Sequence, residues 1–169
     1  MSSPKVLITG VTGFIGSHLA PRLLELGYDV YSFERYMTGR YVLGAIRQLK
    51  TLFGDLREYH TVRKVVRDVS PDYVIHLAAI SPVAYSFEHP QEVMDVNLMG
   101  TINLSEACLH EAPGVKQMLF ASTSEVYGDG PVPRREDTPP NPNSPYAVSK
   151  LAAEKYLLYL KEAYDFPVT

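Results

Sequence analysis

Short apolar runs rich in β-forming residues alternate along the chain with longer stretches in which apolar side chains recur at helical spacing. Such alternation predicts repeated βαβ units and a parallel sheet. The first run, Lys5–Thr9, is almost wholly apolar, as expected of a strand covered on both faces. Ile15, Leu19, Leu23 and Leu26 then share one stripe, which predicts a helix from Phe14 to Leu26 with Gly27 as its stop signal. Pro21 lies inside that stretch and lacks the backbone donor a helix would use there.

The same reading continues to the end of the chain. Asp29–Phe33 and Leu49–Phe53 are strands, joined by an irregular connection holding Thr38, Gly39 and Gly44. Glu58–Val69 is a helix ended by Ser70-Pro71, and Tyr73–Ala78 is the fourth strand. A loop with Pro82 and Pro90 leads into a long helix from Gln91 to Glu111, followed by a fifth strand from Gln117 to Ser122. Six of the 13 prolines lie from Pro131 to Pro145, and this segment reads as an ordered surface loop at the ligand-binding end of the sheet. Ser144 can cap the last helix and Pro145 suits its first turn; the helix runs to Tyr164. Val168-Thr169 opens a sixth strand. The expected fold is therefore an α/β, Rossmann-type doubly wound parallel sheet: one domain over residues 1–169, truncated before or within that sixth strand.

Composition narrows the function. A chain of 169 residues with 46% hydrophobic residues can bury one domain's core. Its net charge of -3, with scattered Lys and Arg, argues against nucleic acid or an anionic membrane as partner. No apolar run reaches the roughly 18 residues of a membrane span, and the lone Cys108 suits a reducing compartment, so a soluble cytoplasmic protein is expected. The five histidines show no metal-ligand spacing, and no metal is expected. Cys108 reads as a packed helix residue rather than a nucleophile.

Between the first strand and first helix lies Gly10-Val11-Thr12-Gly13-Phe14-Ile15-Gly16. Gly10 and Gly13 would allow a tight turn and close approach of backbone N–H groups to a pyrophosphate, and the helix amino end favours negative charge. Gly16 would let helix and strand pack closely. A glycine triplet alone is weak; its placement between strand and helix gives it meaning. Glu34 lies 18 residues beyond Gly16, where a carboxylate can accept from the adenosine ribose and repel a 2′-phosphate, favouring NAD. Arg35 beside it could hold that phosphate, so NADP stays open. Asp55 after the third strand is either the partner of the adenine or the cap of the next helix.

Tyr146 and Lys150, four residues apart, share one face of the last helix. A neighbouring ammonium stabilises a phenolate, which makes a tyrosine a usable acid and base near neutrality. Thr123, in Ala121-Ser122-Thr123-Ser124-Glu125-Val126-Tyr127-Gly128, offers a hydroxyl to the substrate oxygen, and Glu125 adds a carboxylate beside it.

Together these motifs resemble an extended short-chain dehydrogenase/reductase of the sugar-nucleotide epimerase/dehydratase type, over essentially the whole chain. The resemblance implies that Thr123, Tyr146 and Lys150 are the redox triad, that Lys150 also holds the nicotinamide ribose, and that Leu77, Ala78 and Ala79 line the cofactor with Leu56. It gives Asn97 a supporting role, against an ordinary helix polar contact, and places Ser81 and Ser124 near the substrate. It also implies a homodimer through the long and last helices, and a carboxy-terminal substrate domain absent from this chain. Thr123-Ser124-Glu125, Ser81 to Pro90 and Ser144 to Val148 are similar to the GDP-mannose 4,6-dehydratase type. Phe14-Ile15 departs from the Gln-Asp of that type, and Glu34 from its more basic strand end. The expected reaction is nucleotide-sugar 4,6-dehydration on GDP-mannose or a related nucleotide hexose, with Glu125 as the C5 base. A 4-epimerase of the UDP-glucose/UDP-galactose type, a UDP-glucuronate decarboxylase and a non-catalytic dinucleotide-sensing scaffold are the alternatives.

Overall fold

The computed structural model describes residues 3–37, 44, 46, 49–130 and 132–169. The expected connection through Thr38 and Gly39, and Pro131, lie outside the described residues. Five strands form one parallel sheet: β1 (Lys5–Thr9), β2 (Asp29–Glu34), β3 (Lys50–Phe53), β4 (Tyr73–His76) and β5 (Gln117–Phe120). Their spatial order is β3-β2-β1-β4-β5. This is the Rossmann arrangement, in which the chain reverses direction across the sheet between β1 and β4 and leaves a crevice at the strand ends. Val168 makes an isolated parallel bridge to Met118, so residues 167–169 lie along β5.

The apolar run of β1 serves two cores at once, because successive side chains point to opposite faces. Val6 and Ile8 pack with Val11, Ala20 and Val30 on the side of α1 (Phe14–Glu25). Leu7 packs on the other side with Val62 and Val66 of α2 (Tyr59–Val69), and this core extends to Leu104, Cys108, Met118, Leu157 and Leu160. Cys108 is wholly buried, and desolvation raises its thiol to about 12. That leaves an unreactive packed side chain, as the sequence suggests.

α1 runs through Pro21 without interruption. Past β4 the chain departs from the sequence expectation. Strand pairing stops at His76 rather than Ala78, and the expected loop contains a helix, α3 (Val83–Glu88), with Pro82 as its N-cap. Pro90 is the first residue of α4 (Pro90–Met94). The rod predicted from Gln91 to Glu111 is indeed continuous, but it holds a π-turn, Asp95–Met99, between α4 and α5 (Gly100–Glu111). β5 ends at Phe120 instead of Ser122, and a 3₁₀ turn, Ser124–Tyr127, follows. The last helix, α6 (Pro145–Tyr164), starts as read: the Ser144 hydroxyl accepts from the Ala147 N–H at 3.1 Å.

Gly16 illustrates how tightly the entry of α1 is packed. A Cβ there would lie 2.5 Å from the Gly10 carbonyl oxygen and 2.6 Å from Val11 Cα, both backbone atoms that cannot swing aside. Replacing Gly16 by Ala is expected to cost about 1–3 kcal/mol of stability, the usual scale of overpacking. Urea unfolding of the two proteins measures it, and equal midpoints would mean the turn relaxes freely.

Candidate active site

β1 delivers the chain to the crevice through Gly10, whose φ of +80° suits glycine. A Cβ at Gly10 would fall 2.7 Å from the Ala78 amide nitrogen, so two stretches of backbone touch here with no room for a side chain. The Gly13 N–H closes the turn on the Gly10 carbonyl at 3.1 Å. Phe14 and Ile15 open α1 with their side chains exposed, while Gly16 is buried beneath the turn. A cavity of ≈ 300 Å³ opens against this turn, lined by Gly10, Thr12 and Gly13. Glu34, Arg35, Asp55 and Leu56 line it from the ends of β2 and β3, and Leu77, Ala78, Ala79 and Ile80 from the segment after β4. The cradle fits a dinucleotide: a glycine turn at a helix start for the pyrophosphate, acidic and basic groups at the β2 end for the ribose, and an apolar floor.

Glu34 does more than its sequence position suggests. Its carboxylate is buried and accepts from the Val11 N–H at 2.6 Å, the Thr12 hydroxyl at 3.0 Å and the Ser32 hydroxyl at 3.3 Å. Desolvation raises its pKa, against the lowering effect of these donors. Glu34 is therefore a brace for the glycine turn as well as a lining group. The exposed Arg35 guanidinium stacks over the Tyr36 ring at 4.9 Å and comes within 3.9 Å of the Asp55 carboxylate. Asp55 is not the helix cap: the N-cap position of α2 is Glu58, which makes no side-chain capping bond, and the Asp55 carboxylate accepts from the Arg57 backbone N–H at 2.9 Å and pairs with its guanidinium at 2.6 Å. Bonding to Arg57 holds the Asp55 carboxyl below its ordinary pKa.

Lys150 and Tyr146 are both buried on α6. The Lys150 ammonium sits over the Phe120 ring, 4.0 Å from its centre, and among the described residues it has no hydrogen-bond acceptor. Burial pushes it down to about 8, opposed by the Glu154 carboxylate one turn along the helix. Glu154 also accepts a hydrogen bond from Ser122 and so ties α6 to the end of β5. Directly beyond, the Thr123 hydroxyl accepts from the Glu125 N–H at 3.2 Å and starts the 3₁₀ turn, which leaves Ser124 and Glu125 exposed. Ser81 is exposed at the start of the segment that leads into α3.

Asn97 occupies the π-turn and is buried. Its side chain accepts from the Ile80 N–H at 2.8 Å, donates to the Ile80 carbonyl at 3.0 Å, and donates to the Ser149 hydroxyl at 3.1 Å. Ser149 passes its own proton to the Tyr146 carbonyl at 2.7 Å. Asn97 thus ties the cavity-lining segment at Ile80 to α6 through Ser149. Thr12, Ile80, Val96 and Ser149 belong to this region but escape sequence reading; only Ser149, lying between Tyr146 and Lys150, carries a local signal. Among the described residues, no three His, Cys, Asp or Glu side chains converge on a possible metal position. No helix among them is long and apolar enough to cross a membrane.

The burial of Lys150 makes a prediction about stability. Its pKa drops on folding from 10.5 to about 8, so the unfolded chain binds more protons between those values. The cost of burying the ammonium is complete below about pH 8 and is relieved as pH rises toward 10.5. Lys150→Met is expected to be more stable than the wild type by about 1–3 kcal/mol at neutral pH. The difference should shrink across that alkaline window in paired denaturation curves. A variant less stable than wild type at neutral pH would contradict it.

A family model for GDP-mannose 4,6 dehydratase matches residues 7–169. A GDP-mannose 4,6-dehydratase of Yersinia enterocolitica is 39% identical over 95% of this chain and 46% of its own length. GDP-mannose 4,6 dehydratase 1 of Arabidopsis thaliana is 37% identical over 94% of this chain and 48% of its own length. The chain thus spans about half the length of these two curated relatives. Among solved structures, the UDP-glucose 4-epimerase of Thermus thermophilus in complex with NAD superposes with a TM-score of 0.87 at 38% identity, covering 97% of this chain and 53% of that one. With a family model matched over nearly its whole length and its fold shared with that epimerase, the chain belongs to the GDP-mannose 4,6 dehydratase family of nucleotide-sugar dehydratases and epimerases.

Proposed function

We propose that this protein is a nucleotide-sugar 4,6-dehydratase acting on GDP-mannose or a related nucleotide hexose through transient oxidation at C4. The observation that carries this reading is the 3₁₀ turn after β5, which sets an exposed carboxylate, Glu125, two residues beyond Thr123. A 4-epimerase inverts C4 without another base, and Glu125 would have no task in it. Dehydration needs a base for the C5 proton, which becomes acidic once C4 is a ketone.

In this reading the Thr123 hydroxyl and Tyr146 hold the C4 hydroxyl, and Tyr146 accepts its proton as the ketone forms. Lys150, with its ammonium otherwise lacking an acceptor among the described residues, stabilises the Tyr146 phenolate and binds a ribose hydroxyl. A nicotinamide dinucleotide held in the crevice by the glycine turn, Glu34 and Lys150 would supply the hydride acceptor for C4 and the hydride donor for C6. Glu125 removes the C5 proton and delivers a proton to the departing C6 hydroxyl, which leaves as water. Protonation at C5 from solvent then completes a 4-keto-6-deoxy sugar. The preferred cofactor in this reading is NAD, because the Glu34 carboxylate lines the cavity and would repel a 2′-phosphate; the turn at Gly10 and Gly13 with the Phe14 and Ile15 amides at the start of α1 would hold its pyrophosphate. Tighter binding of NADP than of NAD in titration would reverse that assignment and make Arg35 the phosphate ligand. Met99, Val148 and Leu158, exposed apolar side chains of the long rod and α6, support pairing of two copies through those helices, and sedimentation equilibrium tests it.

Mass analysis of products from a nucleotide-hexose panel in heavy water tests the reaction. Loss of water with deuterium at C5 is expected, and recovery of only a C4-inverted sugar would overturn it. Glu125→Gln should abolish water loss by about a hundredfold or more while C4 oxidation stays measurable, the scale of a lost general base. Undiminished overall turnover would remove Glu125 from its role.

A further inference from the structure

His76 stands at the end of β4, wholly enclosed between β1, β5 and the helical rod, and the reaction described above makes no use of it. Its hydrogen bonds can be assigned a direction. The Thr101 hydroxyl has one proton and gives it to the Asn97 carbonyl at 2.6 Å, which can only accept. At the 3.0 Å contact between His76 Nε2 and Thr101 Oγ1, the imidazole must therefore be the donor. On the other side, Thr9 Oγ1 accepts from the Ala78 N–H at 3.2 Å and lies 2.6 Å from His76 Nδ1. A neutral imidazole protonated at Nε2 accepts there from the Thr9 hydroxyl.

Charge and burial agree with the neutral form. The Lys150 ammonium on α6 is the charged group that acts on His76, and the Phe120 ring of β5 contacts both, 5.7 Å from the imidazole and 4.0 Å from Lys150 Nζ. Two cations around one ring in a dry interior would repel each other, and desolvation together with Lys150 pushes His76 down to about 3. The result is one directed chain: Ala78 N–H to Thr9, Thr9 to His76, His76 to Thr101, Thr101 to the Asn97 carbonyl in the π-turn. Asn97 then reaches Ile80 and, through Ser149, the backbone of Tyr146.

We propose that His76 is a positioning residue for the catalytic helix: its Nε2–H, through Thr101, fixes the Asn97 π-turn and thereby the placement of Tyr146 relative to the cofactor-lining segment. This rests on the reading of Tyr146 and Lys150 as the oxidation pair. An ordinary packing role would need only the ring's volume, whereas this role needs a donor at one particular nitrogen.

The test uses the full-length protein in two measurements. The first is nitrogen NMR of ¹⁵N-histidine-labelled protein without substrate, with His76 identified by its loss in a His76→Gln variant. The expected result is an Nε2–H tautomer that does not titrate between about pH 5 and about pH 8. An Nδ1–H tautomer, or titration in that range, would overturn the proposal. The second compares kcat and KM for His76→Gln, which keeps a donor near the Nε2 position, His76→Asn, which keeps only the acceptor facing Thr9, and His76→Phe, which keeps the volume. His76→Gln should stay within about threefold of wild-type kcat, while the other two fall about tenfold or more with KM for the sugar nucleotide little changed. Equal kcat for all three, or better retention by His76→Asn than by His76→Gln, would overturn it. The NMR result stands apart from catalysis, so a wild-type protein with no turnover on any nucleotide hexose would count against the reaction while leaving the tautomer readable.

Discussion

The site depends on a contact between two stretches of bare backbone. Where β1 ends, Gly10 comes so near the amide of Ala78 that a Cβ would intrude to 2.7 Å, and Gly16 comes as near to Gly10 and Val11 from the other side. This draws the mouth of the crevice tight at the point where the strand order reverses. It aims the first turn of α1 into the cavity and leaves the segment after β4 as the opposite wall. Glu34 braces the same turn from below through Val11 and Thr12, at the cost of burying a carboxylate whose desolvation raises its pKa. A glycine turn of this kind is a packed joint, and the space it leaves for a ligand follows from the packing.

The region around α6 and the π-turn is assembled from buried polar groups. Lys150 is dry enough for its pKa to fall to about 8, His76 is held neutral beside it, and Asn97 spends its amide on Ile80 and Ser149. Each is costly to bury alone: His76 and Asn97 offset that cost with complete hydrogen bonds, whereas Lys150 has only the Phe120 ring face and the nearby Glu154 carboxylate. The gain is placement. The backbone of Tyr146 and the Ile80 segment lining the cavity are held by one hydrogen-bond network through Asn97 and Ser149.

Much of this was legible in the sequence, and the illegible parts share a cause. Strands buried on both faces announce themselves as apolar runs, and Ser144-Pro145 marks a helix start through local chemistry, so β1 to β5 and α6 lie close to where the pattern puts them. Prolines at 82 and 90 suggested a loop, yet proline also suits a helix cap or first turn, and the packing resolved that ambiguity toward α3 and α4. The π-turn leaves no trace because the apolar stripe runs on through it. Tyr146 and Lys150 were visible because their spacing is local. The Thr9–His76 contact joins residues 67 apart, and the turning of Glu34 toward Val11 spans 23; neither has a local signature.

In the proposed reaction the pair Tyr146 and Lys150 works on a sugar carbon, and Glu125 decides the product. The most direct measurement is rapid mixing of the wild-type protein, loaded with oxidised nicotinamide cofactor, with GDP-mannose and related nucleotide hexoses, following the absorbance of reduced nicotinamide. That absorbance is expected to rise and then decay within a single turnover, as C4 is oxidised and the hydride is later returned. A flat trace with every nucleotide hexose, from protein that demonstrably binds the cofactor, would contradict it.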